Sequence, residues 1–200
     1  IQDAVSEGAV LLKNNGALPI AKSSKISLFG RNSTNWVYSI ASGASSINSV
    51  RCKSLKQAFE EEGFTVNPTL WDIYSSSSAP ARKCGATWTV GELTNPFTAE
   101  AKNSYSAYSD AAIVVIARAT GESYDYTDNP ADVSDGDGTH YILELQDAER
   151  AAIEEAKSAS EKVIVLVNSD QPMAIGEILD DADIDAVVQI GGTAVDGLNG

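Results

Sequence analysis

The sequence is poor in the residues on which most metal and nucleophile chemistry depends. Its 200 residues include one histidine, His140, and two cysteines, Cys52 and Cys84, which lie outside any Cys-x-x-Cys spacing. A Cys₂His₂ zinc site and an HExxH protease site are therefore excluded. A Ser-His-Asp triad would depend on His140 alone, and we expect that residue to be a solvated member of an acidic loop. Two free thiols are favoured over a disulfide.

Sequence patterns that bind nucleotides or calcium are missing as well. Neither GxGxxG nor GxxxxGK[ST] occurs, so neither of the two common nucleotide fingerprints applies. The stretch "SDGDGTHY" has neither the ligand spacing nor the glycine position of a calcium loop. We therefore expect no cofactor and no metal site.

Basic residues are scarce, since 14 Lys and Arg stand against 28 Asp and Glu and give a formal net charge of −14. Such a chain is poorly suited to neutralise phosphates, so no nucleic-acid partner is expected. No apolar run approaches the ~18–20 residues that span a bilayer, and no signal peptide is visible, so no membrane partner is expected. The cellular location stays open between cytoplasm and secretion, with the cytoplasm preferred. A start without Met and an element cut at Gly200 indicate a fragment of a longer protein.

What the sequence does contain is a regular alternation of apolar strands and amphipathic helices. Strands are predicted at 25–30, 112–118, 162–168 and 184–191, with a short strand and a helical turn within 64–74. Helices are predicted from residue 1 to the Asn14-Asn15-Gly16 stop, and at 54–64, 99–109, 141–159 and 173–179, whereas 75–98 has no period. This pattern predicts one α/β domain over residues 1–200, a three-layer sandwich with a mostly parallel sheet of about six strands and helices on both faces.

Two loops that follow predicted strands are longer than simple connections require. In open α/β sheets, ligands bind beyond the carboxyl ends of the strands, which here are the loops after Gly30, Arg118 and Asn168. The first two exceed the usual connection of ~4–6 residues, and long loops on a rigid scaffold often carry function.

The loop after Arg118 contains the strongest candidate for a catalytic group, Glu122. An isolated glutamate is usually a solvated surface residue. Here Gly121 lets the backbone turn after the strand, and Tyr124 and Tyr126 offer stacking surface for a sugar ring or a phenolic hydrogen bond. Asp125 is a second carboxylate that would raise the pKa of its neighbour if the two face each other. A protonated glutamate near neutral pH is what a general acid requires.

Several stretches together resemble the C-terminal-type α/β sandwich domain of glycoside hydrolase family 3, the β-glucosidase and β-xylosidase family. They are "EGAVLLKNNGALPI", "ISLFG" with its loop ending "SGASS", "GESYD", and "VIVLVNSDQPMAI" leading to "GGTAVDG". The resemblance runs from the first helix to the last glycine-rich turn and so covers nearly the whole chain.

The resemblance implies a retaining β-glycosidase with an active site shared between two domains. In that family an aspartate nucleophile lies on a (β/α)₈ barrel, and the loop that matches "GESYD" delivers the acid/base glutamate, whose position Glu122 occupies. The implied substrate is a β-linked glucoside or other β-glycoside, and the implied partner is the barrel domain of the same protein. No segment here matches the barrel or its nucleophile, so the isolated chain is expected to be inactive.

Further substrate contacts are implied around the same edge of the sheet. The loop after Gly30 matches the family's variable loop near the leaving-group subsite, and the alternative for its aromatic residues is core packing. The candidate substrate-binding residues are Trp36, Tyr38, Ser42, Ser45, Tyr124 and Asp125. Two other interpretations remain open. One is a non-catalytic sandwich domain that binds sugar or supports a barrel, and the other is a free-standing flavodoxin-like binding domain.

Overall fold

The computed structural model describes residues 2–39, 52–76, 78, 81–195 and 198–199 of the chain. In chain order the strands of its central sheet are β1 (Val10–Asn14), β2 (Lys25–Phe29), β3 (Thr65–Val66), β4 (Ala111–Arg118), β5 (Val163–Ser169) and β6 (Ala186–Ile190). The spatial order is β1-β6-β5-β4-β2-β3. All neighbouring pairs are parallel except β1 and β6. The predicted mostly parallel sheet of about six strands is therefore confirmed.

Helices cover both faces of this sheet. The helices are α1 (Gln2–Gly8), α2 (Leu55–Glu61), α3 (Pro68–Ser75), α4 (Ala99–Tyr105), α5 (Asp147–Ala159) and α6 (Gly176–Asp180). Of these, α2 to α6 pack against the sheet. Along β4, Val114 and Ile116 pack with residues of α3 to α6, whereas Ile113 and Val115 pack with residues of α2. Successive side chains of a strand point to opposite faces, so β4 is buried on both sides and the predicted three-layer arrangement is confirmed.

One smaller element completes the fold. A short antiparallel pair, β7 (Ala194–Val195) and β8 (Leu198–Asn199), follows the sheet.

Cys52 and Cys84 are free thiols, as predicted. None of the helices in the described part of the chain combines the length and apolar content needed to cross a membrane.

The first predicted helix is wrong in its second half. The helix ends at Gly8, and residues 10–14 form the edge strand β1, which pairs antiparallel with β6. The Lys13 ammonium donates to the carbonyls of Leu179 at 3.1 Å and Asp181 at 2.5 Å. The apolar spacing alone is compatible with a helix, but the free edge of β6 offers backbone hydrogen-bond partners that only the folded sheet provides.

Three other helix boundaries also differ from the prediction. The long helix begins at Asp147 rather than 141 because Gln146 forms a capping box with Glu149, in which the Gln146 N–H donates to Glu149 Oε2 at 3.0 Å. The helix at 99 ends at Tyr105 rather than 109, and the last one begins at Gly176 rather than 173. Boundaries of this kind depend on local caps more than on apolar spacing.

Candidate functional site at the carboxyl edge of the sheet

Glu122 lies in a tight turn that follows the buried strand β4. The backbone N–H of Tyr124 donates to the carbonyl of Gly121 at 3.2 Å, which closes the turn. Ser123, with a φ of 70°, takes the left-handed conformation that L-residues seldom adopt outside turns. Glu122 and Asp125 are both exposed, so the turn presents two carboxylates at the carboxyl edge of the sheet.

The two tyrosines of this loop rest against a second segment, residues 81–98. The ring of Tyr124 lies so close to Gly85 that a Cβ on this glycine would meet Tyr124 Cε1 at 3.2 Å. The ring of Tyr126 stacks on Trp88, with centroids 5.0 Å apart and planes 24° apart. Tyr124 remains 42% exposed, whereas the ring of Tyr126 is packed against Trp88. Burial raises the pKa of the Tyr126 hydroxyl.

Backbone hydrogen bonds join the same two segments. The N–H of Trp88 donates to the carbonyl of Asp132 at 2.8 Å, and the N–H of Ser134 donates to the carbonyl of Trp88 at 2.8 Å. The carboxylate of Asp135 accepts from the N–H groups of residues 90–91 at 2.9 and 2.7 Å. The segment without periodicity and the acidic loop therefore form one packed unit.

A buried ion pair closes the base of the acidic loop. The guanidinium of Arg118 meets the carboxylate of Glu149 through two bonds of 2.7 and 2.8 Å, and each side chain is only 1% exposed. Arg118 also donates to the carbonyls of Ile142 and Glu144. The pair thus joins the point where the loop leaves β4 to the point where it returns to α5.

Glu92 is a buried carboxylate beneath the loop that follows β2. Its two oxygens accept the backbone N–H of Arg31 at 3.0 and 2.8 Å, and one of them accepts the N–H of Leu93 at 2.8 Å. Gly30 has no room for a side chain here, because a Cβ would lie 2.6 Å from the carbonyl oxygen of Val115. Burial raises the pKa of Glu92 to about 8, although these N–H donors oppose the rise.

Because of Glu92, the stability of the domain is expected to decline towards alkaline pH. Its pKa rises from an ordinary 4.5 in the unfolded chain to about 8 in the folded one, so the folded state holds more protons in this window. The contribution to stability is fully present below the lower value and is lost as pH rises through the higher one. The Glu92→Gln variant cannot ionise, so its melting temperature should fall less between pH 5 and pH 8.

Thermal unfolding of both proteins across this pH range checks the expectation. Glu100→Gln, which changes an exposed glutamate of α4, is the matched control and should follow the wild-type profile. Parallel pH profiles for the wild type and Glu92→Gln would show that Glu92 is ionised at the same pH in both states.

Asn168, at the end of β5, joins two other loops at this edge. Its Oδ1 accepts the N–H of Val37 at 2.6 Å, and its Nδ2 donates to the carbonyls of Val37 at 3.2 Å and Gly191 at 3.1 Å. The side chain is fully buried. The loops that follow β2, β5 and β6 are therefore held together by one amide.

The predicted aromatic contacts of the first loop are engaged within the domain. Trp36 Nε1 donates to Thr193 Oγ1 at 2.9 Å, and its ring packs against the core on the α2 side of the sheet. The Tyr38 hydroxyl donates to the carbonyl of Lys53 at 2.8 Å. These contacts favour the packing alternative for both residues. Two further predicted contacts lie outside the described residues: Ser42 and Ser45.

The histidine lies in the acidic loop, as expected, with its side chain 31% exposed, and it takes part in a helix-capping cluster. Asp137, His140 and Asp147 each place one potential ligand atom within 4.8 Å of the others. Asp137 is already engaged, because it pairs with His140 Nδ1 at 2.8 Å and accepts the Asp147 N–H at 3.0 Å. Burial opposes its ionisation, but hydrogen bonds from Thr139 and His140 outweigh this and lower its pKa. The cluster anchors the start of α5.

The sequence did not indicate a role for the side chains of three residues that shape this edge: Arg118, Glu92 and Asn168. Arg118 has a usable signal, since a cation at the end of an eight-residue apolar strand requires a buried partner. Glu92 has none, because it lies in a segment without periodicity. Asn168 ends an apolar strand as a small polar residue, which by itself is common.

A doubly covered parallel sheet with interlocked loops at its carboxyl edge defines the chain as an α/β sandwich domain. A family model of the glycosyl hydrolase family 3 C-terminal domain matches residues 9–197, and the chain belongs to that family. A β-glucosidase of Ruminococcus albus is 25% identical over 191 residues, which are 92% of this chain and 19% of that protein.

Solved structures share the fold. The β-glucosidase of Paenibacillus barengoltzii superposes with a TM-score of 0.70 at 24% identity. The match covers 96% of the present chain and 20% of the Paenibacillus chain. The β-glucosidase 3B of Thermotoga neapolitana in complex with glucose gives a TM-score of 0.70 at 22% identity. This match covers 95% of the present chain and 26% of the Thermotoga chain. The chain thus spans between 19% and 26% of the length of these three proteins.

Proposed function

We propose that this chain is the domain of a retaining β-glycosidase, of the β-glucosidase type, that supplies the general acid/base. In this role Glu122 protonates the leaving oxygen in the first step and deprotonates the hydrolytic water in the second. The observation that carries the proposal is the place of Glu122, exposed in a tight turn directly after the buried strand β4, in a chain of this family. A carboxyl group that must meet a substrate held by another domain needs both exposure and a rigid base.

The surroundings of Glu122 support this assignment. Asp125 is a second exposed carboxylate three residues away and can accept hydrogen bonds from sugar hydroxyl groups. Tyr124 offers a ring that is 42% exposed and suited to contact with a sugar. We assign Tyr124 and Asp125 to substrate contact, and Trp36 and Tyr38 to support of the loop on the leaving-group side.

The nucleophile of this reaction must come from outside the chain. Retaining hydrolysis places two carboxyl groups ~5–5.5 Å apart across the sugar, and this domain contributes the acid/base alone. The β-glucosidases to which the chain is similar are several times longer. We propose that a (β/α)₈ barrel domain of the same protein supplies the nucleophile, and that the substrate is a β-linked glucoside or other β-glycoside.

The 200-residue chain by itself is expected to hydrolyse no glycoside. Without the second carboxyl group there is no covalent intermediate, and the acid has no bound sugar to protonate. Release of the phenol from an aryl β-glucoside by the purified chain, compared with its Glu122→Gln variant, measures this directly. Turnover by the chain above that variant would contradict the division of the active site between two domains.

A further inference from the structure

The loop that carries Glu122 has little regular structure of its own. Between the end of β4 and the start of α5, the described residues contain one 3₁₀ turn at Pro130–Asp132. A long connection of this kind keeps one conformation only if other parts of the protein hold it. The ion pair of Arg118 holds its two ends. The Glu122 turn near its beginning requires a separate support.

Tyr124 of the turn lies against Gly85, and a larger contact comes from another residue of the same neighbouring segment, Trp88. The side chain is 3% exposed and stacks on Tyr126, four residues beyond Glu122. Its backbone N–H and carbonyl are bonded to Asp132 and Ser134, on the far part of the same loop. Trp88 therefore contacts the loop on both sides of its 3₁₀ turn.

We propose that Trp88 is a positioning residue for the Glu122 turn, through its stack on Tyr126 and its backbone bonds to the far part of the loop. The inference rests on the proposed acid/base role of Glu122. A proton donor loses most of its effect when it moves by a fraction of the hydrogen-bond length, since displacements near ~1 Å cost about 10²-fold in rate. Removing the stack therefore weakens acid catalysis without touching the carboxyl group itself.

The test uses the full-length protein that contains this chain and a series of aryl β-glucosides whose phenols differ in acidity. Trp88→Leu is expected to lower kcat/KM by ~10- to 100-fold for weakly acidic phenols, which need the proton. Strongly acidic phenols leave without protonation, so kcat/KM for their glucosides should fall little. A merely structural defect reduces the concentration of active enzyme, so it lowers the apparent kcat/KM of every substrate by the same factor.

Matched variants separate these outcomes. Tyr126→Leu removes the other half of the stack and should reproduce the selective loss of kcat/KM for weakly acidic phenols. Tyr126→Phe keeps the ring and should retain most of the wild-type kcat/KM. Trp71→Leu removes a tryptophan of α3 that lies under Lys56, on the α2 side of the sheet. Its effect should not depend on the leaving group.

A second readout covers the case in which Trp88→Leu folds poorly. Amide hydrogen exchange of residues 119–126 should be faster in Tyr126→Leu than in Tyr126→Phe, because the turn loses its support. A loss that is uniform across leaving groups in Trp88→Leu or Tyr126→Leu, or unchanged exchange, overturns the inference. If Glu122→Ala also shows no dependence on the leaving group, the acid/base proposal fails instead.

Discussion

Replacing Glu122 with Ala or Gln in the intact protein is expected to lower turnover of glycosides with poor leaving groups by ~10²–10⁴-fold, the usual value of general acid–base assistance. The substitution removes the proton donor of the first step and the base of the second, and it leaves the nucleophile in place. Steady-state rates on alkyl β-glucosides measure the combined loss. Because the side chain is exposed, the fold itself should be little affected.

The same variants should separate the two chemical steps on activated substrates. An aryl glycoside with a strongly acidic phenol needs no protonation, so it should still form the glycosyl-enzyme and then stall at hydrolysis. A burst of phenol followed by slow turnover is the kinetic sign. Azide needs no base, so with Glu122→Ala it should enter the vacated space and release a β-glycosyl azide.

Asp125 provides the matched control for these experiments. It is the other exposed carboxylate of the turn, three residues from Glu122. Asp125→Ala is expected to show neither the burst nor the azide product. Azide rescue of Asp125→Ala, with none for Glu122→Ala, would make Asp125 the acid and would contradict the assignment of Glu122.

The largest effect on stability is expected from breaking the buried ion pair. Glu149→Gln leaves the guanidinium of Arg118 uncompensated at a site where both side chains are 1% exposed. Removing one partner of a buried pair typically costs ~3–5 kcal/mol of unfolding free energy, because the remaining charge stays desolvated. Urea denaturation of the chain measures this as a lower midpoint with an unchanged slope.

A more exposed pair between α5 and α6 gives the control for this measurement. Arg150 and Glu177 form a bidentate pair at 2.9 and 2.8 Å, with side chains 28% and 45% exposed. Glu177→Gln is expected to cost less than ~1 kcal/mol, since water screens such pairs. Equal costs for the two substitutions would show that the Arg118 pair contributes through its geometry and not through its burial.

Much of the sheet was predictable because its strands are apolar on both faces. The strands β4 and β5 are buried along their whole length, and β6 is buried at Ala186 and Val187. A run of branched apolar residues has few other stable environments. The strand β1 was not predictable from spacing. Its residues fit a helical stripe, and the free edge of β6, which turns them into a strand, exists only after the sheet has formed.

The sequence by itself determined the α/β class, the succession of β2 to β6 along the chain and the loop in which we propose that a catalytic glutamate lies. These properties depend on local spacing and on short motifs, which are read along the chain. Only the tertiary structure decided which loops meet. Trp88 lies on Tyr126, Glu92 lies beneath Gly30, and Asn168 bridges Val37 and Gly191. Each contact joins segments far apart in sequence, and buried polar groups find their partners only when the sheet has brought the loops to one edge.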